Sequence, residues 1–294
     1  MSIVKRKFNG LCLSAGREKG MYMLGFLEEE SKIYDLSNIQ KYSGSSVGAL
    51  ICLLLSIGCT VQEIKEKAII FDPFVEFADD NDIYLKILKN LSSGYGLFDI
   101  NIVTKHIEPL IIAKCGKIMT MGELYQKFKK TIKMVTYNIT RTKKTIIDHM
   151  TFPDLSCIKA IQMTCAIPYI FQKVEYKGFC YIDGALIDGF PIQEIDDGIN
   201  DTLGIVVNGE FEKVKVPIID HFLDIFKAIT RSTIIRSYDN ISDKCLIIIK
   251  ELKDDFMFQD IIKRLNYFEL GREDFGKLTF KSDIQKIEKF KLFK

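Results

Sequence analysis

The chain has 294 residues, of which 47% are hydrophobic, so it is long enough to bury a large core in a single domain. Its net charge is +2, from 41 basic and 39 acidic residues, which gives no reason to expect a nucleic-acid partner. The eight cysteines form no C-x-x-C pair. This pattern argues against a zinc site or a secreted disulfide framework and predicts a soluble, intracellular protein. The longest apolar run, residues 49–59, is far shorter than the roughly 20 residues of a membrane span, so any membrane contact is expected to be peripheral.

The first predicted elements are a buried strand over residues 8–14 and an amphipathic helix over residues 20–31, joined by a loop of small residues. This order is typical of an anion-binding site. A dinucleotide site would need glycines where Ala15 and Arg17 stand. We therefore predict that the backbone amides of Ala15, Gly16 and Arg17 form an oxyanion hole, with an ordinary tight turn as the alternative.

A second short strand, residues 39–43, leads into the pattern G-x-S-x-G from Gly44 to Gly48, and an apolar helix follows over residues 47–57. In a nucleophile elbow the serine occupies a cramped turn between strand and helix, and side chains two residues away on either side would collide with the backbone. The pattern predicts Ser46 as a nucleophile beside a helix N-terminus that favours developing negative charge. Because G-x-S-x-G also arises by chance, the prediction depends on the flanking strand and helix.

The stretch from Phe71 to Phe98 is aromatic and acidic. It is either a packed helical insertion, as apolar helical faces usually indicate, or a cover over the site that is hinged at Gly94 and Gly96 and opens at a membrane. Its aspartates at residues 79, 80 and 82 and its two lysines are unlike the lysine-rich face of an interfacial helix. A cover of this composition predicts weak membrane association that depends on apolar burial rather than on charge.

Further along the chain, the pattern predicts alternating helices and strands. Predicted helices cover residues 96–114, 120–129, 154–166 and 218–237, and predicted strands cover residues 132–140, 145–149, 174–176, 179–182, 202–208 and 245–250. The rest of the C-terminal region is predicted to be mostly helical. This alternation favours an α/β fold.

A carboxylate followed by two small residues ends the predicted strand over residues 179–182, at Asp183, Gly184 and Ala185. Small neighbours allow another backbone to approach closely, which would place Asp183 to meet Ser46. A carboxylate before glycine is commonly only a turn former, and other aspartates lie nearby. The pattern alone therefore leaves both roles open.

Together these stretches resemble the patatin-like phospholipase family, in chain order and over nearly the whole length. The matching segments are residues 13–20, Gly44 to Gly48, Gly96 to Asp99, Cys165 to Pro168, Asp183-Gly184-Ala185 and Glu269-Leu270-Gly271. The resemblance implies a three-layer α/β/α fold with a central, mostly parallel sheet. It also implies one domain over residues 1–294, with a core at about residues 8–210 and the remaining helices and last strand at about residues 211–294.

The family resemblance further implies a serine lipid acyl hydrolase of the phospholipase A or lysophospholipase type. Ser46 matches the nucleophile and Asp183 the proton acceptor of a Ser-Asp dyad. No cofactor or metal is implied, and the expected partner is a phospholipid or another acyl-ester lipid at a membrane interface. The chain departs from the family in the first loop, where Ala15 and Arg17 stand in place of glycines. A β-carbon at a position that needs positive φ would strain this loop.

Two alternatives stay open. A Ser-His-Asp triad of the α/β-hydrolase type would use Ser46, Asp183 and His221, although that fold normally has more strands before its elbow. A catalytically inactive relative that binds lipid or a protein partner would account for the altered first loop, although both dyad residues are present.

Overall fold

A central sheet of eight strands organises the structure, a computed structural model that describes residues 7–32, 36–70, 96, 98–211, 217–239, 241–254 and 261–280. The strands are β1 (Gly10–Leu13), β2 (Lys41–Ser45), β3 (Thr131–Asn138), β4 (Lys143–Ile147), β5 (Val174–Tyr176), β6 (Phe179–Asp183), β7 (Thr202–Phe211) and β8 (Cys245–Asp254). Their order is β5-β6-β3-β2-β1-β7-β8, with β4 also paired to β3. The five strands from β3 to β8 in this order run parallel, whereas β4 and β6 pair antiparallel to β3. The carboxyl ends of β1, β2 and β7 therefore meet at one edge of the sheet.

Helices cover both faces of this sheet. They are α1 (Gly20–Glu30), α2 (Val47–Ser56), α3 (Val61–Ile69), α4 (Asn101–Thr104), α5 (Glu108–Cys115), α6 (Met121–Phe128), α7 (Cys157–Cys165), α8 (Pro217–Arg236) and α9 (Ile261–Phe280). Successive strand residues point to opposite faces, and in β1 the side chains of Leu11 and Leu13 join the larger buried cluster while Cys12 joins a smaller one with Ile234 of α8. The predicted three-layer α/β/α fold with a mostly parallel sheet is confirmed.

Most predicted elements differ from the observed ones only at their ends. The exception is the predicted helix over residues 96–114, which is two helices, α4 and α5. Pro109 lies in the first turn of α5, where its missing N–H is tolerated, but within one continuous helix its ring would clash with the carbonyl of residue 105. No helix among the described residues is both long and apolar enough to cross a bilayer.

Helices α1 and α9 pack with their backbones in contact. A Cβ on Gly25 would overlap the carbonyl of Phe268, and one on Gly271 would overlap the carbonyl of Tyr22. Beyond the two glycines, the ring of Phe26 packs edge-on against that of Phe275, with centroids 5.0 Å apart. Helix α1 follows directly from the first loop, so α9 supports the element that carries this loop.

Candidate active site

Ser46 lies in the sharp turn between β2 and α2. Its backbone has φ +54° and ψ −129°, a region in which a residue with a side chain costs about 1–3 kcal/mol. A Cβ on Gly44 would overlap the backbone of the residues that open α2, and one on Gly48 would overlap the carbonyl of Leu13. Only glycine fits at both positions. The arrangement has the geometry of a nucleophile elbow, with the Ser46 side chain at the carboxyl edge of the sheet.

The structure brings Asp183, at the end of β6, into direct contact with Ser46. Ser46 Oγ donates a hydrogen bond to Asp183 Oδ2 at 2.7 Å, and the Ala185 amide donates to Asp183 Oδ1 at 2.8 Å. The next residue is Gly184, where a Cβ would overlap the carbonyl of Val135 in β3. Gly184 therefore allows the close approach of another backbone that the sequence predicted at this position, and that backbone is β3. Asp183 is fully buried, and this desolvation raises its pKa to about 7. The hydrogen bonds from the Ala185 amide and the Ser46 hydroxyl lower the pKa by less than burial raises it.

Two residues to which the sequence analysis assigned no role complete the contacts of Ser46. The Ser46 amide donates to Thr164 Oγ1 at 3.1 Å, and Thr164 Oγ1 donates in turn to the carbonyl of Val135 at 2.5 Å. The thiol of Cys165 is buried beside Ser46, and burial, followed by the charge of Asp183, raises its pKa well above the ordinary value. Thr164 and Cys165 end α7. The sequence signalled them only through the matched segment Cys165 to Pro168, which Cys165 opens and Thr164 directly precedes.

We expect Thr164→Val to lower kcat about tenfold to a hundredfold, because it removes the hydroxyl that accepts from the Ser46 amide and donates to the Val135 carbonyl, at a cost of about 1–3 kcal/mol to the placement of Ser46. Thr164→Ser keeps the hydroxyl and should retain most of the activity. Steady-state kinetics with a soluble p-nitrophenyl ester would separate the two, and KM should change little because Thr164 lies behind the nucleophile. Equal kcat values for the valine and serine variants would show that the hydroxyl does not position Ser46.

The first loop requires one correction to the predicted oxyanion hole. The Ala15 amide donates to the Gly189 carbonyl at 2.8 Å, so this amide serves the fold and is not available to an oxyanion. Gly16 is extended, with φ −179°, and its lack of a side chain is required by contact with Val207. Arg17 has φ +50°, the left-handed region that favours glycine, at a cost of about 1–2 kcal/mol. Of the two residues that stand in place of family glycines, Ala15 and Arg17, only Arg17 therefore has a strained backbone.

A cavity of about 190 Å³ opens next to Ser46. Its walls come mainly from α1, α2 and α3 and from residues 165–171, and its apolar lining includes Leu24, Leu50, Leu54, Ile64, Ile107 and Phe171. Such a lining suits a hydrocarbon chain, since burial of each methylene stabilises binding by about 0.8 kcal/mol. The nucleophile thus faces an apolar space.

Two predictions from the sequence fall wholly or partly outside the described residues. The cover over residues 71–98 does so except at its end, where the Phe98 amide donates to the Ile170 carbonyl at 2.8 Å beside the apolar cavity. His221 lies on the part of α8 whose side chains are not described. No group of three or more His, Cys, Asp or Glu side chains in the described ranges is arranged to bind a metal ion.

The sequence of this chain matches a known family. A family model described as patatin-like phospholipase matches residues 11–196, which is 186 of the 294 residues. The probable lipid hydrolase 463L of Invertebrate iridescent virus 6 is 31% identical over 192 residues, which cover 65% of this chain and 64% of the viral protein. An uncharacterized protein of Acanthamoeba polyphaga mimivirus, R571, is 24% identical over 97% of this chain and 91% of its own length.

The fold also resembles a solved structure. VipD from Legionella pneumophila superposes with a TM-score of 0.54 at 16% sequence identity, over 92% of this chain and 66% of VipD. At this level of identity the likeness concerns the fold alone. The chain therefore spans about two thirds of the length of the first viral relative and of VipD.

Proposed function

The chain belongs to the patatin-like phospholipase family, and on that premise we propose that it is a serine lipid acyl hydrolase of the phospholipase A or lysophospholipase type. The observation that carries the proposal is the 2.7 Å hydrogen bond from Ser46 Oγ to the buried Asp183 carboxylate, at the mouth of an apolar cavity. The nucleophile, its base and a space for the acyl chain are thus adjacent. An acyl ester of a lipid is the substrate class that fits this combination, and the family to which the chain belongs favours a phospholipid.

The reaction would proceed in two steps through an acyl-enzyme. Ser46 Oγ attacks the ester carbonyl carbon as Asp183 takes its proton, and the tetrahedral intermediate collapses with cleavage of the bond to the alcohol oxygen, which receives the proton from Asp183. Water then attacks the acyl-enzyme as Asp183 takes one of its protons. Collapse of the second intermediate releases the fatty acid, and the proton returns to Ser46.

Asp183 can act as the base because of its surroundings. An aspartate in water is too weak a base for this role, but the buried carboxyl has a pKa of about 7, close to a physiological operating pH. Within the described part of the chain, Asp183 forms no ion pair with a lysine or arginine that would lower this value.

Backbone amides would stabilise the oxyanion. We assign this role to the amides of Gly16 and Arg17, which line a cavity together with Ser46, and to the N-terminus of α2 at Val47, which directly follows Ser46 and favours negative charge. The strained backbone of Arg17 is consistent with a loop held in shape for a site rather than for stability.

The direct contact between Ser46 and Asp183 favours a dyad over the Ser-His-Asp alternative, because an imidazole between the two side chains would need a much longer separation than 2.7 Å. An inactive, purely binding relative is the remaining alternative. Labelling of Ser46 by a fluorophosphonate, read out by mass spectrometry, tests the whole proposal without knowledge of the substrate. Stoichiometric labelling is expected, and an unlabelled, folded protein would favour the inactive relative.

We expect kcat/KM to rise about tenfold per pH unit up to about pH 7 and then to level off, because only the ionised Asp183 accepts the Ser46 proton. The rate at pH 5 should thus be about a hundredfold below that at pH 8. The measurement uses a neutral, soluble p-nitrophenyl ester, so that the charge of the substrate does not change over this range. A profile that is flat between pH 5 and pH 8 would contradict the role of Asp183 as a base.

A further inference from the structure

The apolar cavity beside Ser46 runs along one side of α2. The residues of α2 that line it are Val47, Leu50, Ile51 and Leu54, and their spacing places them on a single stripe of the helix. Leu54 follows Ser46 by eight residues, so at about 1.5 Å per residue the stripe extends about 12 Å from the nucleophile. The cavity therefore begins at Ser46 and continues toward the C-terminus of α2.

Helix α9 contributes to the end of this cavity that is remote from Ser46. The two glycine contacts between α1 and α9 described above place these helices antiparallel. Arg264, which lines the cavity and lies one turn before Phe268 of α9, is therefore near the C-terminal end of α1. The N-terminal end of α1 lies toward Ser46, because Gly20 packs there against Val47. Arg264 and the nucleophile thus stand at opposite ends of the cavity.

The wall at the remote end is polar. Arg264 is only 4% exposed, and its Nη1 donates a hydrogen bond to the carbonyl of Ile69, the last residue of α3. Lys67, two residues before Ile69, lines the cavity as well. A hydrocarbon chain that extended past these cations would bury polar groups against methylenes, which is unfavourable. The apolar part of the cavity therefore has a limited length.

Two estimates of this length agree. A backbone residue has three bonds and spans about 3.6 Å when extended, so about 12 Å corresponds to about ten bonds of an acyl chain. An engineered apolar cavity of about 150 Å³ in another protein binds benzene, so the cavity of about 190 Å³ holds about eight carbon atoms. A second cavity at Ser46, of about 70 Å³ and lined by the first loop and α8, holds only about three on the same scale. The acyl chain therefore fits the larger cavity.

We propose that the larger cavity limits the length of the acyl chain, so that the enzyme prefers chains of about eight to ten carbons to longer ones, with Leu54 and Arg264 at the limit. This inference rests on the proposed function. Each methylene up to the limit would be buried against apolar side chains of α1 and α2. Methylenes beyond the limit would meet the polar wall and would add nothing to binding.

The test compares kcat/KM for p-nitrophenyl esters from butanoate to dodecanoate, at concentrations low enough that all remain monomeric. For the wild type, kcat/KM should rise about fourfold with each added methylene up to about the decanoate. The dodecanoate should then be cleaved no faster than the decanoate. A value of kcat/KM that rises at the same rate through the dodecanoate would overturn the length limit.

Substitutions of Leu54 should move the limit. Leu54→Phe fills part of the remote end and should shorten the limit by about two carbons, so the ratio of kcat/KM for decanoate over butanoate should fall at least about tenfold. Leu54→Ala enlarges this end, and the dodecanoate should then be cleaved faster than the decanoate. Leu55→Phe, the same change at a neighbour that does not line the cavity, is the matched control and should keep the wild-type ratio. Equal ratios in the two phenylalanine variants would contradict the role of Leu54.

A binding measurement separates the failure of this inference from the failure of the proposed function. Calorimetry on the Ser46→Ala protein should show that affinity rises about fourfold per methylene from hexanoate to decanoate and gains nothing at dodecanoate. If no ester is cleaved but this dependence is found, the proposed reaction is wrong and the length limit stands. If esters are cleaved while neither the rates nor the affinities show a limit, the length limit is wrong and the hydrolase stands. If neither cleavage nor this dependence is found, both are wrong.

Discussion

Ser46→Ala is expected to lower kcat for ester hydrolysis by at least about a thousandfold, because it removes the atom that forms the acyl-enzyme. Release of hexanoate from p-nitrophenyl hexanoate and of fatty acid from phospholipid vesicles are the two measurements. The fold should tolerate the change, since alanine removes only the hydroxyl and leaves the turn between β2 and α2 intact.

The adjacent serine provides a matched control. Ser45 is buried at the end of β2, and its Oγ makes no hydrogen bond within the part of the chain that the structure describes. Its removal therefore leaves no buried partner unsatisfied, and Ser45→Ala should keep the wild-type rate. Equal rates in wild type and the Ser46→Ala variant, or equal losses in the two alanine variants, would refute Ser46 as the nucleophile.

Asp183→Asn should lower kcat at least about a hundredfold, because the amide keeps the shape of the side chain but cannot accept the Ser46 proton. The residual rate should no longer rise with pH between 5 and 8. Wild type and variant are compared with the soluble ester over this range. A variant that keeps the wild-type pH profile would place the base elsewhere, and His221→Ala would then be the next variant to measure.

The same variant has an expected effect on stability that runs opposite to its effect on activity. Burial raises the pKa of Asp183 from 3.8 to about 7, so between these values the folded state binds more protons than the unfolded state. The contribution of Asp183 to the free energy of unfolding is thus intact below pH 3.8 and declines as the pH rises through 7. Asparagine does not ionise. The Tm of the Asp183→Asn variant, relative to wild type, should therefore be higher at pH 8 than at pH 4.

Much of the fold followed from local patterns in the sequence. The strand, turn and helix around Ser46 were predictable because the G-x-S-x-G pattern stands between an apolar strand and an apolar helix, and the requirement for glycine at Gly44 comes from the start of the adjoining helix. Residue types within one helical turn also determine the start of α3, where Thr60 and Glu63 exchange the hydrogen bonds of a capping box. The close approach of another backbone to Gly184 was also indicated, by the small size of the two residues that follow Asp183.

What the sequence left unresolved depends on distant contacts. The Ala15 amide is used by Gly189, 174 residues later, and no local pattern could show this. Thr164 reaches Ser46 only because α7 ends beside β2 and β3 in the folded sheet. The two cavities that meet at Ser46 likewise combine side chains from both ends of the chain. Contacts between such distant residues depend on the order and direction of the strands and helices in the fold, which no local pattern in the sequence determines.

The contact between α1 and α9 bears on the smallest fragment that could act as an enzyme. The segment matched by the family model ends at residue 196, before β7 and α9 begin. A chain cut there would leave β1 at the edge of the sheet with unpaired backbone groups. It would also remove α9, whose backbone packs against Gly25 of α1. We therefore propose that residues 1–294 form one domain, in which the C-terminal third is a structural part of the catalytic unit rather than an appendage that can be removed.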